Sequence, residues 1–302
     1  MEKKEQRTTT TIGNNGVTTL SPVNNNNNRD LQPQQSRAMV ASQGPNDRDC
    51  FTGPTNLTLA HRRLKPEQEE LINRLVYFQE EFEQPSEEDL KKVYHVPLNS
   101  SSSEIDESES LFRHITEITI LTVQLIVQFS RHLPGFQTLN RADQVILLKA
   151  CSSEVMMIRA SRRYDIQSDS IVFATNHPFT RDHYMKAGLD NEALFQFCRR
   201  MSKMKVDNAE YGLLTAITIF SERRNLCEPK RVEKIQEIYV DALQAYMQVN
   251  RRRQPMVALA KLLSILADLR SLGNNNSRQC FDLKLVANRK LPQFLAEIWD
   301  IV

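Results

Sequence analysis

Residues 143–164 carry apolar side chains on most faces of what the spacing predicts to be one helix. A helix that is apolar all round has to be covered on every side, so it belongs in the middle of a domain. Residues 111–129 make a second long apolar segment, stopped before Pro134-Gly135, a pair that punctuates helices. From Lys65 onward the rest of the chain supplies cover. Pro66 suits a first helical turn, and Leu71, Leu75, Phe78 and Phe82 then recur at three- and four-residue spacing. Residues 194–201, 209–220, 230–249 and 254–272 read as further helices, and 294–301 as a short last one. Residues 169–174 hold Ile171-Val172-Phe173, the one good strand. The expectation is an all-α domain of roughly ten helices in layers, with one small β-hairpin.

The polar head of the chain cannot join that domain. Residues 1–60 contain a threonine run at 8–11, an asparagine run at 24–28 and a single aromatic, Phe51. Such a segment buries too little apolar surface to offset the entropy of ordering. Two parts are expected: a disordered polar segment over 1–64 and one domain over 65–302. A second polar stretch, 99–110, reads as a loop. The 39 basic and 37 acidic side chains leave a net charge of +2, which gives no bulk attraction to nucleic acid or a membrane. No apolar run approaches the ~18 residues of a membrane span, and Met1-Glu2-Lys3-Lys4-Glu5 lacks the apolar stretch of a secretory signal. The five cysteines are far apart, with no Cys-x-x-Cys pair, so neither metal binding nor a disulfide framework is expected, and a reducing compartment fits. There is no phosphate loop, no Gly-x-Ser-x-Gly elbow and no His-Glu-x-x-His. The six histidines do not cluster at ligand spacing; His177 and His183 flank a loop and are expected to be solvated. No residue set argues for an enzyme.

Polar residues inside apolar helices are the informative exceptions. Ile115, Thr119, Thr122 and Ile126 share one helical face, so two hydroxyls fall in a stripe that should be core. Either each threonine bonds back to a carbonyl one turn earlier, or the hydroxyls line a polar spot in an internal cavity. Arg159 lies in Val155-Met156-Met157-Ile158-Arg159-Ala160, in the most apolar helix. A buried guanidinium without partners costs several kcal/mol. It either pairs with an acid such as Glu83 or meets a polar ligand group in an apolar pocket. Met156 and Met157 suit both readings, because methionine fills irregular space.

Phe129-Ser130-Arg131, Pro134-Gly135-Phe136, Leu139, Asp143-Gln144 and Leu147-Leu148-Lys149 resemble the nuclear receptor signature. The stretches 118–127, 148–157 and 162–165, then Leu283-Lys284-Leu285 and Asn288-Arg289-Lys290-Leu291-Pro292, resemble the ecdysteroid-binding branch of that family. The likeness covers about residues 65–302. It implies a three-layer antiparallel helical sandwich with a buried cavity, no cofactor, and an ecdysteroid ligand of the 20-hydroxyecdysone or ponasterone type. Such a ligand carries many hydroxyls and needs matched polar groups inside an apolar cavity.

Carried over position by position, the polar contacts would be Glu83, Thr119, Thr122, Arg159, Tyr184 and the backbone of Ala174. Asn276 and Cys280 would line the end that takes the ligand's side chain. Ile115, Ile118, Met156, Met157, Ala160, Phe173, Leu283 and Trp299 would form apolar walls. Ile118 stands where the family usually has methionine, and Ala160 where it has valine. The 188–194 stretch is about two residues shorter than usual, and one extra residue sits at Val286-Ala287.

The last apolar segment, Phe294-Leu295-Ala296-Glu297-Ile298-Trp299, is amphipathic with one acid. By resemblance it closes over the pocket and completes a groove for a coactivator helix of Leu-x-x-Leu-Leu type. Val127, Val145 and Lys149 would line that groove, with Glu297 at the N-terminus of the partner helix and Arg131, replacing the usual lysine, at its C-terminus. Segment 254–272 is apolar more widely than one core face needs. It reads as a buried helix or, by resemblance, as the dimerisation helix, with Leu259, Leu263, Leu266 and Arg270 facing ultraspiracle, the retinoid X receptor homologue. The resemblance further implies a nuclear location and DNA contact through zinc modules that this stretch does not carry. A constitutive helical scaffold that recruits coregulators without ligand is the alternative.

Overall fold

The computed structural model describes residues 63–93, 104–173, 175, 177–251, 253–285 and 290–301. Apart from Arg63 and Leu64, the segment expected to be disordered lies outside the described residues, as do 99–103 of the expected loop. The remainder of that loop is helix. In α3 (Glu104–His132), the acid Glu107 lies near the positive end of the helix dipole. The Ser108 hydroxyl donates to the Lys186 carbonyl at 2.6 Å, and Lys186 Nζ reaches Glu107 at 3.0 Å.

The described helices stack in three layers. The first holds α1 (Pro66–Glu81) and α3, with α2 (Glu87–Lys92) following α1 in the chain; the second holds α4 (Arg141–Arg162), α7 (Asn208–Ile219) and α8 (Pro229–Asn250), and α5 (Arg181–Lys186) packs against α3. The third holds α6 (Glu192–Met204), α9 (Pro255–Leu263) and α10 (Ile265–Leu285), with α11 (Gln293–Ile298) lying against α4. The central pair is α4 and α7. Every residue of α7 from Ala209 to Ile219 is buried, and α4 buries Leu147, Cys151, Val155 and Ile158 almost completely. α3 is long and apolar enough over Glu107–His132 to cross a membrane by composition, but Val123, Ile126 and Phe129 sit in the domain core.

Local chemistry sets the element ends. Asn140 caps α4 by accepting from Asp143 N at 2.8 Å. Asp143 is itself fully buried and accepts from Cys227 N and Glu228 N at 2.7 and 2.9 Å. Burial raises its pKa, but these bonds outweigh it and the net shift is downward. Gly135 turns the chain between α3 and a single 3-10 turn (Phe136–Thr138) at φ +91°, where a Cβ would come within 2.9 Å of Ile235 Cγ2. Only glycine fits that conformation without strain.

Two expectations need correction. The hairpin is a three-stranded antiparallel sheet, β1 (Tyr164–Asp165), β2 (Ser170–Val172) and β3 (Pro178–Thr180), with Ile171 opposite both Tyr164 and Phe179. The outer strands are too short to show alternation. Segment 254–272 is not one helix but breaks at Ser264. There the hydroxyl donates back to Lys261 O at 2.7 Å and accepts from Arg200 Nη2 at 2.8 Å, the kind of back-bond that bends helices. Beyond it α10 runs on through Gly273 and three asparagines, a poor helical sequence held by packing against α4. Gly273 lies so close to Glu154 that a Cβ would sit 3.2 Å from its Cγ.

Candidate functional site

A cavity opens where α3, α4, the sheet, α5, α10 and α11 meet. It is narrow, with a cavity volume of about 110 Å³. Glu83, Ile115, Ile118, Thr119, Thr122, Met156, Met157, Arg159, Ala160, Phe173, Tyr184, Asn276, Cys280, Leu283 and Trp299 all line it. Of the expected contacts only Ala174 is missing, and it lies outside the described residues.

Helix geometry gathers these groups. On α3, Phe112 and Thr119 each lie three or four residues from the adjacent pair Ile115 and Thr116, with Thr122 three beyond Thr119, and Met156, Met157, Arg159 and Ala160 form the facing part of α4. Phe112 and Thr116 were not expected, although the same spacing points to them. Pro85, Arg163, Leu189, Asn191, Leu194, Leu291 and Leu295 also line the cavity. Pro85, Arg163, Leu189, Asn191 and Leu291 lie between elements, where periodicity carries no information, while Leu194 is in the first turn of α6 and Leu295 in α11.

The polar atoms decide what this space can hold. Arg159 Nη1 is buried and has no hydrogen-bond partner. The acid proposed for it is engaged elsewhere, because Glu83 takes Arg162 Nη1 at 3.3 Å and Arg163 Nε at 3.6 Å. Burial lowers the Arg159 pKa to about 10, and Arg162 and Arg163 lower it too, while Glu83 opposes them. The guanidinium is still a cation at neutral pH, with one donor aimed at nothing. Trp299 Nε1 is a second buried donor without a partner.

Thr119 and Thr122 donate back to Ile115 O and Ile118 O, each at 2.8 Å. The two readings of these threonines therefore hold together, since a hydroxyl that donates along its own helix keeps lone pairs for a partner in the cavity. The Tyr184 side chain is buried, which raises its phenol pKa, with Cys198 adding to the effect. Its hydroxyl stays protonated, and no protein partner for it is found among the described residues. Asn276 Nδ2 donates to Ser153 Oγ at 3.0 Å, which leaves Oδ1 as an acceptor. Burial pushes the Cys280 thiol up to about 12, so it lines the wall as a neutral group.

On the outer face, α11 is held from both sides. Leu295 and Ile301 are buried beneath it, and Lys149 Nζ on α4 meets Asp300 Oδ1 at 2.6 Å. Lys149, expected only to line the groove, is thus also a fastening for α11. Glu297 is exposed and accepts from Gln293 Nε2 at 2.7 Å. Val145 is 45% exposed, Val127 half-buried and Arg131 exposed. Leu259, expected on the dimer face, belongs to the core, where it is 6% exposed. The helix turns it inward, leaving Leu263 and Leu266 half-buried and Arg270 at the surface, with Arg270 Nε 3.1 Å from Glu154 Oε1.

His177 and His183 are half-buried, with rings stacked 5.7 Å apart, so the expectation of solvated side chains does not hold. Burial, then His183 and His114, lower the His177 pKa. Among the described residues no three His, Cys, Asp or Glu are grouped to hold a metal.

Residues 101–286 match the family model described as the ligand-binding domain of nuclear hormone receptor. The chain belongs to that family. A nuclear hormone receptor ligand-binding domain is a binding module, not an enzyme. The chain is 56% identical over 235 residues to the ecdysone receptor of Lucilia cuprina, covering 76% of this chain and 30% of that protein. It is 56% identical over 236 residues to the ecdysone receptor of Drosophila melanogaster, at 76% and 26%, and 51% identical over 242 residues to that of Heliothis virescens, at 79% and 41%. It thus spans less than half the length of these curated relatives.

Proposed function

We propose that the cavity takes an ecdysteroid of the 20-hydroxyecdysone or ponasterone type and that α11 passes its arrival to a coactivator. The observation that carries this reading is the unpartnered Arg159 Nη1, opposite threonine hydroxyls with free lone pairs. A steroid hydroxyl or carbonyl answers the orphaned donor, and further hydroxyls donate to Thr119, Thr122 and Glu83. The name shared by the relatives supports the same ligand class. The contact residues proposed here are the cavity lining expected from sequence, Ala174 among them. In the same reading the chain acts in the nucleus. It pairs through Leu263, Leu266 and Arg270 with an ultraspiracle or retinoid X receptor homologue, and reaches DNA through zinc modules outside this stretch. Val127, Arg131, Val145, Lys149 and Glu297 hold a Leu-x-x-Leu-Leu helix, with Glu297 and Arg131 at its two ends.

One observation favours the alternative of a constitutive scaffold. The Lys149–Asp300 pair and the buried Ile301 hold α11 down through contacts within the protein itself. A ligand switch from 1:99 to 99:1 takes about 5.5 kcal/mol of differential affinity, and every contact that closes α11 unaided shrinks the range left for ligand. Coactivator-peptide affinity, measured with and without 20-hydroxyecdysone, separates the two. The gated domain binds peptide at least tenfold more tightly with steroid, whereas equal affinities establish the scaffold.

A further inference from the structure

A second cavity, of about 690 Å³, lies away from the steroid site between α6, the end of α8 and the start of α9. Its lining is basic. Arg199, Arg200 and Lys203 enter from α6, Arg251 from the end of α8, Arg253 from the connection, and Lys261 from α9. Among the described residues of the lining the one carboxylate is Glu210, and it is engaged: Arg251 Nε donates to it at 2.7 Å and Arg251 Nη2 at 2.5 Å. Arg199 is matched by Asp169 at 3.0 Å, and Arg200 by Asp268. Lys203, Arg253 and Lys261 are exposed and have no acidic partner among the described residues. The whole chain has a net charge of +2, so this cavity concentrates more positive charge than the molecule carries overall.

Convergence of cations from three elements on one concavity focuses potential and raises the local concentration of anions. Gln254 starts α9 without a side-chain cap, which adds the positive end of a helix to charge already gathered there. We propose that this cavity binds a compact anion bearing two or more phosphate groups on neighbouring carbons. Its size falls within the 300–1,000 Å³ of small-molecule sites. A concave lining with cations on three sides suits such a compact polyanion better than an extended acidic chain. Arginine forks pair phosphate oxygens two at a time, and lysines add point charge. The lining also includes Met204, Val206, Val257 and Ala258, so the anion is either free or the headgroup of a lipid whose first methylenes rest on these side chains.

The test uses the full 302-residue chain, titrated calorimetrically with inositol hexakisphosphate and, separately, with a dioctanoyl phosphatidylinositol bisphosphate. One saturable site is expected, weakened at least tenfold in the Lys203→Glu/Lys261→Glu variant. Both lysines are exposed, so the variant should keep the wild-type helical circular dichroism. It should also keep its steroid affinity, because neither residue touches the first cavity. Tighter binding of the lipid analogue identifies a headgroup, and tighter binding of the inositol phosphate a free anion. No saturable binding of either compound, or binding that survives the charge reversal, overturns the proposal.

Discussion

A buried guanidinium donor without a protein partner forfeits hydration and gains nothing from the fold in return, so Arg159 is a cost to folding. Arg159→Met should therefore leave thermal stability unchanged or slightly higher, while steroid affinity falls by about 1.5–3 kcal/mol, the worth of a charge-assisted hydrogen bond. Paired melting and binding curves would show the split; parallel losses would mean that the arginine serves the fold. Asp169 illustrates the opposite economy. It stands at φ +46° and its carboxylate is held down to about 2, first by its bond with Arg181, then by Tyr164. A folded pKa below the unfolded value contributes stability that is present above pH ~4 and lost as pH falls toward 2. Asparagine tolerates this backbone conformation, so Asp169→Asn should flatten stability against pH across that window. An unchanged acid limb in a urea-melt series would rule out the carboxylate as its source.

At the scale of elements, α11 joins two faces. Trp299 points its indole into the cavity, with Nε1 buried and unpaired, while Glu297 points outward. As the only tryptophan, Trp299 should change its emission when steroid enters, and a spectrum indifferent to saturating ligand would detach α11 from the pocket. The Lys149–Asp300 fastening is exposed at 36% and 73%, and exposed pairs contribute about 0–1 kcal/mol. Asp300→Ala should accordingly leave the melting temperature nearly unchanged and make coactivator binding more dependent on steroid. A variant whose peptide binding depends on steroid no more than that of the wild type would discount the fastening.

The long elements were legible before any coordinates, because α3, α4, α7 and α8 repeat their apolar residues over several turns. α2 and α5 have six residues each, too few for a period, and the Ser264 break depends on Arg200 from another helix. Arg159 and the α3 threonines were legible as anomalies in apolar stripes. What they meet was not, because Glu83 turns to Arg162 and Arg163 through tertiary geometry that no local pattern encodes.

In the domain as a whole, Glu154 of α4 and Arg223 of the α7–α8 connection form a buried pair, each side chain 5% exposed, with Arg223 Nη1 donating to Glu154 Oε1 at 2.8 Å. Arg270 of α10 reaches the same carboxylate, so a residue proposed for the dimer face is wired to the core. Removing one member of a buried pair strands the other charge at a cost of about 3–5 kcal/mol. Arg223→Ala should lower the melting temperature by roughly 6 °C or more, and Arg270→Ala, at the surface, by much less. Similar drops in both would place the weight of the network at the surface instead.

The central claim is that Arg159 sits in a cavity built for a polyhydroxylated steroid. Its most direct test is saturation binding of labelled ponasterone to this chain paired with ultraspiracle, for wild type and Arg159→Met side by side. The account predicts one saturable site in the wild type, weakened at least tenfold in a variant that melts no lower. Absence of saturable binding in the folded wild-type heterodimer would contradict it.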